Sequence, residues 1–144
     1  MLVPTVPTAA TIRSPRSAAW PGRLALGIAW ALLVYAWVMN AWIGDDAFIT
    51  FRAAENLAEG FGPRWNPGER VQTYTHPLWM LVVSLGFWIT GEFYLTVLGI
   101  SLLLTLGAVG LLTRRLDMDR STLAISALVV SKASIDYTSS GLEN

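Results

Sequence analysis

The sequence contains no cysteine, so it has neither a disulfide framework nor a thiol nucleophile or thiolate metal site, and zinc-ribbon and thioredoxin-like readings are excluded. Charge is also scarce: 14% of the 144 residues are charged, against 53% hydrophobic, and acids and bases cancel. That balance is usual in integral membrane proteins and rare in water-soluble domains. With no net charge and only scattered arginines there is no basic face, which excludes nucleic acid as a partner.

What is present is a set of long uncharged runs. Leu24 to Ile43 carries no charge, and at about 1.5 Å per helical residue it is long enough to cross the roughly 30 Å hydrocarbon core of a bilayer. It is too long for a signal-peptide core and has no small-x-small cleavage site before Gly44, so it reads as a retained first span over 24–43. Trp20 and Trp42 suit aromatic belts at its ends. Residues 1–19, rich in Pro, Thr, Ser and Ala with Arg13 and Arg16, lack the apolar content to fold and read as a disordered cytoplasmic tail. A second uncharged run, 93–113, ends in Arg114-Arg115. A third span is expected over 121–137. His76–Thr90 is apolar but short; counting arginines by the positive-inside rule makes it a juxtamembrane or re-entrant helix. Residues 44–92 then form one outer loop, and residues 20–144 read as the first part of something longer.

The chemistry concentrates in that loop. Between Gly44 and Trp79 lie five acids (Asp45, Asp46, Glu55, Glu59, Glu69) and three arginines (Arg52, Arg64, Arg70). Asp46 to Glu59 has helix-forming composition, with Asp45 as its cap and Gly60 as its stop, and helical spacing puts Asp45 and Arg52 on one face. Phe48, Phe51 and Leu57 supply an apolar side suited to the membrane interface. Asn66-Pro67-Gly68-Glu69 is a tight-turn sequence.

Each polar candidate has a functional and a structural reading. Asp45 and Asp46 are either a reactive carboxylate and its charged neighbour, or plain helix-terminal acids; as a pair they also suit a divalent cation, with Asp46 as a ligand. Arg52 matches phosphate oxygens, or pairs with Glu55 or Glu59. His76, beside a proline, is a base, a metal ligand or a helix-start residue. Tyr74, Trp65 and Trp79 suit sugar stacking or the aromatic belt. Lys132, one turn before Asp136, is a surface pair or a ligand-facing charge.

GDDAFITFR from Gly44, NPGERV from Asn66, YTHPLW from Tyr74 and DYTSSGLEN from Asp136, in this order, resemble the integral-membrane glycosyltransferases that use polyprenyl-phosphate sugars (GT-C type). Within these the pattern is most similar to the terminal arabinofuranosyltransferase family of the mycobacterial cell wall. The resemblance covers about residues 24–144. It implies an all-α integral membrane protein, here the N-terminal part of a multi-span GT-C-type helix bundle with three spans and interfacial helices in the first outer loop. It implies transfer of a sugar, a pentofuranose such as arabinose, from a polyprenyl-phosphate donor to a cell-envelope glycan acceptor at the outer face of the inner membrane. Carried onto this chain, Asp45 is the catalytic acid and Asp46 its partner. Asp136 and Glu143 form a second acidic cluster. Arg52, Tyr74, His76 and Lys132 join Asp46, Asp136 and Glu143 as expected substrate-binding residues, with a divalent cation as the one cofactor to test. The chain departs from the family pattern at His76, where Asn is common before the proline, and at Gln72-Thr73, where Glu-Gly is common. Those changes bear on the acceptor more than on the reaction. The alternative is a non-catalytic membrane scaffold or flagellar-motor-control-like factor that retains the signature. A transporter fits less well, because the charges sit in a loop and not at the bilayer midplane.

Overall fold

The computed structural model of the chain describes residues 19–69, 71–72 and 74–142. The tail expected over 1–19, apart from Ala19, and the expected site residue Glu143 lie outside the described residues. The described residues form six helices and no strand: α1 (Ala19–Met39), α2 (Ala47–Ala58), α3 (Pro77–Thr90), α4 (Tyr94–Thr113), α5 (Met118–Val130) and α6 (Lys132–Ser139).

Two of these, through Trp20–Met39 and Tyr94–Thr113, are long and apolar enough to cross a membrane. The core helix of a soluble protein would be mostly covered by its neighbours; here only 17% and 11% of the two apolar windows are buried. Leu24, Ile28 and Leu32 on α1 and Leu95, Leu103 and Leu111 on α4 are left exposed, a surface that water does not tolerate and lipid does. α3, at 14 residues, is about 21 Å long and falls short of a crossing.

Two boundaries differ from the sequence expectation. α1 ends at Met39 and not at Ile43, because Asn40 turns its side-chain amide back onto the Ala36 carbonyl (2.8 Å) and competes with the helix ladder. The stretch expected as a third span, 121–137, is two helices broken at Ser131. Its backbone leaves the helical region (φ −82°, ψ 102°), and its hydroxyl accepts from the Ser134 amide, capping α6. The two pieces nonetheless run beside α1 in the same direction: Gly22 faces Met118 at one end, and the Trp37 indole donates to the Thr138 carbonyl at the other. Ala29, Leu33, Val109, Ile125 and Ile135 form the buried cluster between α1, α4, α5 and α6.

A second cluster lies at the loop end. Ala47, Phe51 and Ala54 on the inward face of α2 pack with Trp79 and Val83 of α3 and Val97 of α4. The Ser84 hydroxyl donates to the Ala54 carbonyl (3.1 Å) and ties α2 to α3. α3 and α4 are joined by a tight connection in which Gly91 takes the left-handed conformation (φ 71°) and the Glu92 carboxylate accepts from the amides of Tyr94 and Leu95. The two helices approach closely at Gly86, where a Cβ would lie 2.7 Å from the Thr96 methyl. Away from that point they part around a cavity of about 640 Å³.

Candidate functional site

The connection from α1 to α2 is short and apolar up to the point where two acids appear. Gly44 is buried, and its amide donates to the Ser140 carbonyl (2.8 Å), so the segment just before Asp45 is tied to the segment just after α6. Trp42 donates its indole N–H to the Asp136 carbonyl (3.1 Å), and Trp79 donates to the Gly141 carbonyl (3.0 Å). Together with Trp37 these donors serve four carbonyls at or just beyond the C-terminal end of α6, groups that a helix cannot satisfy for itself. Three of the sequence motifs, separated by up to about a hundred residues, are thereby brought to one place: Gly44–Ala47, Pro77–Trp79 and Asp136–Leu142.

Asp45 and Asp46 are both exposed at that junction. The structure places Asp46, not Asp45, at the N-cap of α2, and Asp46 makes no side-chain cap bond. Among the described residues the Asp45 carboxylate accepts one hydrogen bond, from the adjacent Asp46 amide (3.1 Å). The first turn is instead closed by backbone bonds, from Ala47 to Gly44 and from Phe48 to Asp45. Neither carboxylate has an ion-pair partner among the described residues. Two adjacent acids at a helix N-terminus, neither capping nor neutralised, have their oxygens available to a ligand.

Arg52 lies on the outer face of α2 and pairs with Glu55 (2.9 Å, i to i+3), the structural partner foreseen for it. Asp45 precedes the helix, so the helical spacing that would align it with Arg52 does not extend to it. The loop after α2 folds back on it: buried Asn56 donates to the carbonyls of both Arg64 and Trp65 (2.8 Å each). The Asn66–Glu69 turn closes as expected, with the Glu69 amide on the Asn66 carbonyl (3.0 Å). Trp65 borders a shallow hollow with Ile49, Glu69 and Val71 and stays partly open.

His76, half-buried, lies 2.7 Å through Nδ1 from the Thr75 hydroxyl and borders the cavity between α3 and α4, with Trp79, Ser101, Leu104 and Leu142 also on its wall. Tyr74 is half-buried, and its carbonyl accepts from the Gln72 amide (3.0 Å). Trp79 is buried on the wall of that cavity, with its N–H engaged by the Gly141 carbonyl. Lys132 and Asp136 form an i to i+4 ion pair on α6. Among the described residues no group of three His, Asp or Glu side chains gathers to hold a metal. Asp45 and Asp46 by themselves fit only a cation that takes one or two carboxylates and completes its shell with water and phosphate, as magnesium does.

Sequence reasoning missed the residues that hold the site. Trp37, Trp42 and Trp79 act here as long-range hydrogen-bond donors, and Gly141, in the left-handed conformation (φ 80°), lets the chain pass against Ile43 and Ala47. A Ser-Ser-Gly sequence is a signal for the turn; its partners are not visible in one dimension.

The chain is 34% identical over 79 residues to the terminal beta-(1->2)-arabinofuranosyltransferase of Mycobacterium tuberculosis, covering 55% of this chain and 13% of that enzyme. It is 36% identical over 111 residues to the protein of the same name from Corynebacterium glutamicum, covering 71% of this chain and 16% of that enzyme. No family model matches the chain, and no solved structure matches it. The chain is thus related to the mycobacterial terminal arabinofuranosyltransferases, over a stretch that spans less than a fifth of their length. Both relatives are named as glycosyltransferases, which does not favour the scaffold reading.

Proposed function

We propose that this chain, related to the terminal arabinofuranosyltransferases, forms the membrane-embedded part of a GT-C-type glycosyltransferase that bears the reactive carboxylate. Its reaction is transfer of a pentofuranose such as arabinose from a polyprenyl-phosphate donor to a cell-envelope glycan. The observation that carries this reading is the exposed, unneutralised Asp45-Asp46 pair at the end of a membrane-length helix. An acid pair whose one side-chain hydrogen bond among the described residues is from the Asp46 amide to the Asp45 carboxylate is poorly explained by stability.

In the transfer, an acceptor hydroxyl oxygen forms a bond to the anomeric carbon while the bond from that carbon to the phosphate oxygen breaks. The bonding electrons leave with the polyprenyl phosphate, and the hydroxyl proton passes to Asp45 as general base. Asp46 stands beside it as the partner carboxylate. Arg52, by exchanging Glu55 for the donor phosphate, would bind two phosphate oxygens through its planar fork. A divalent cation on Asp46 would serve the same phosphate. Tyr74 and His76 face the acceptor side, and Lys132, Asp136 and Glu143 supply the second polar cluster.

The membrane arrangement belongs to the same proposal. Arg23, Arg114, Arg115 and Arg120 gather at the end where Gly22 meets Met118, while the acids of the outer loop lie at the other. By the positive-inside rule the arginine end is cytoplasmic and Asp45 opens to the outer face of the plasma membrane. α5 and α6, running beside α1, would make a broken third crossing.

The test is sugar transfer from a synthetic polyprenyl-phosphate pentose by the protein expressed from its complete reading frame. Asp45→Asn removes the charge at nearly constant size, and since Asp45 makes no cap bond its fold should be untouched. Turnover should fall by roughly 10²–10⁴-fold at unchanged expression. An Asp45→Asn protein within twofold of wild type removes the catalytic reading.

A further inference from the structure

We infer that Trp79 and Gly141 are positioning residues for Asp45, acting through a backbone clamp between the α1–α2 connection and the segment after α6. The inference rests on the proposed role of Asp45 and adds how that carboxylate is held. The side chains of Asp45 and Asp46 contribute little to their own placement: both are exposed, neither has an ion-pair partner among the described residues, and the one side-chain bond between them is from the Asp46 amide to the Asp45 carboxylate. Their position is inherited from Gly44 on one side and Ala47 on the other.

Both neighbours are gripped by the same short piece of chain. The buried Gly44 amide donates to Ser140 O (2.8 Å). One residue on, Gly141 lies so close to the connection that a Cβ there would be 3.1 Å from Ile43 Cγ2 and 3.2 Å from Ala47 Cβ. Its φ of 80° is also one that side-chain-bearing residues rarely adopt. The Gly141 carbonyl is in turn fixed by the Trp79 indole (3.0 Å), the donor that α3 contributes from within the buried cluster. The order of support is therefore α3 through Trp79 to Gly141, then Ser140 to Gly44, then Asp45.

Arg52 lies on the outer face of α2, and beyond Ala47 the helix has further supports, including packing on the aromatic ring at position 79 that Trp79→Phe retains. The helix is also seated by its buried face and by the Ser84–Ala54 bond. Loosening the clamp should therefore misplace Asp45 while leaving the proposed phosphate contact in register, which predicts a loss in kcat at nearly constant donor KM. A displacement of about 1 Å at a reacting group costs up to about 100-fold.

Trp79→Phe removes the N–H and keeps an aromatic ring, and Gly141→Ala adds the forbidden Cβ without touching α3. Trp88→Phe, at the exposed end of the same helix, is the control. Two readouts are taken on each purified variant: steady-state transfer, and hydrogen–deuterium exchange of peptides covering residues 42–48. Trp79→Phe and Gly141→Ala should each speed exchange in that segment and lower kcat about 10- to 100-fold with donor KM within twofold, leaving α1 and α4 peptides as in wild type. Trp88→Phe should change neither. Unchanged exchange at 42–48 in both variants, or faster exchange with unchanged kcat, overturns the inference. Failure of the underlying reading shows separately, as a fully active Asp45→Asn protein.

Discussion

Asp45 and Asp136 sit at the same end of the bundle, joined through the Trp42 indole on the Asp136 carbonyl, yet their carboxylates meet opposite fates. Asp136 has Lys132 one helical turn back, and the pair lies within a single helix whose next-door residues cap and seat it. Among the described residues Asp45 and its neighbour Asp46 have no ion-pair partner, and Asp46 makes no cap bond. The difference teaches where charge is spent on structure and where it is left free. The half-buried Asp136 carboxylate has its charge met by Lys132, whereas the two exposed acids beside it meet no cation among the described residues.

The sharpest way to break this contrast is to neutralise each acid in turn. Asp45→Asn should lower transfer by roughly 10²–10⁴-fold, while Asp136→Asn should lower it by less than about tenfold, measured side by side in the same polyprenyl-phosphate assay. Equal losses would mean that both acids work on the substrate and that the Lys132 pair is not a resting arrangement.

Arg52 lies between the two extremes, ion-paired yet exposed on the outer face of α2. Arg52→Lys keeps the charge and loses the fork, and donor binding should weaken by about 1.5–3 kcal/mol, about 10- to 150-fold in KM, with insertion into the membrane unchanged. Wild-type donor affinity in that variant would leave Arg52 with Glu55 alone.

The proposed topology, with Asp45 at the outer face, predicts that single cysteines at Glu69 and Asp117 label from opposite sides of the membrane. Equal labelling of both by an impermeant reagent would overturn the three-span reading. The smallest effect is expected at Lys132, whose side chain is 85% exposed. Lys132→Ala should change stability by less than about 1 kcal/mol in thermal unfolding, since exposed pairs contribute little.

Much of the helical layout was legible. Uncharged length marked α1 and α4, a proline at the start and a glycine at the end bounded α3, and the alanine-rich stretch after the acids marked α2. The Asn66–Glu69 turn and the pairs Arg52–Glu55 and Lys132–Asp136 were likewise visible, because their partners lie within four residues. The break at Ser131 was not, since the flanking Leu128-Val129-Val130 and Ala133 read as a continuing apolar helix and a single serine cap is a weak signal. The assignment of the cap to Asp45 missed by one residue and by a bond that is not made.

By itself the sequence determined the local periods: where the chain is helical, which helices are long and apolar enough for a membrane, and that its acids collect beside one of them. Those properties come from neighbours three or four residues apart and from uninterrupted apolar length. Only the tertiary structure decided that three tryptophans serve as donors to α6 and the turn after it, that Gly141 must be small where it meets Ala47, and that Asp45 is left without a structural task. These depend on contacts across 62 to 101 residues, which the helix period does not encode because each is set by how separate helices pack and not by the order of residues along any one of them.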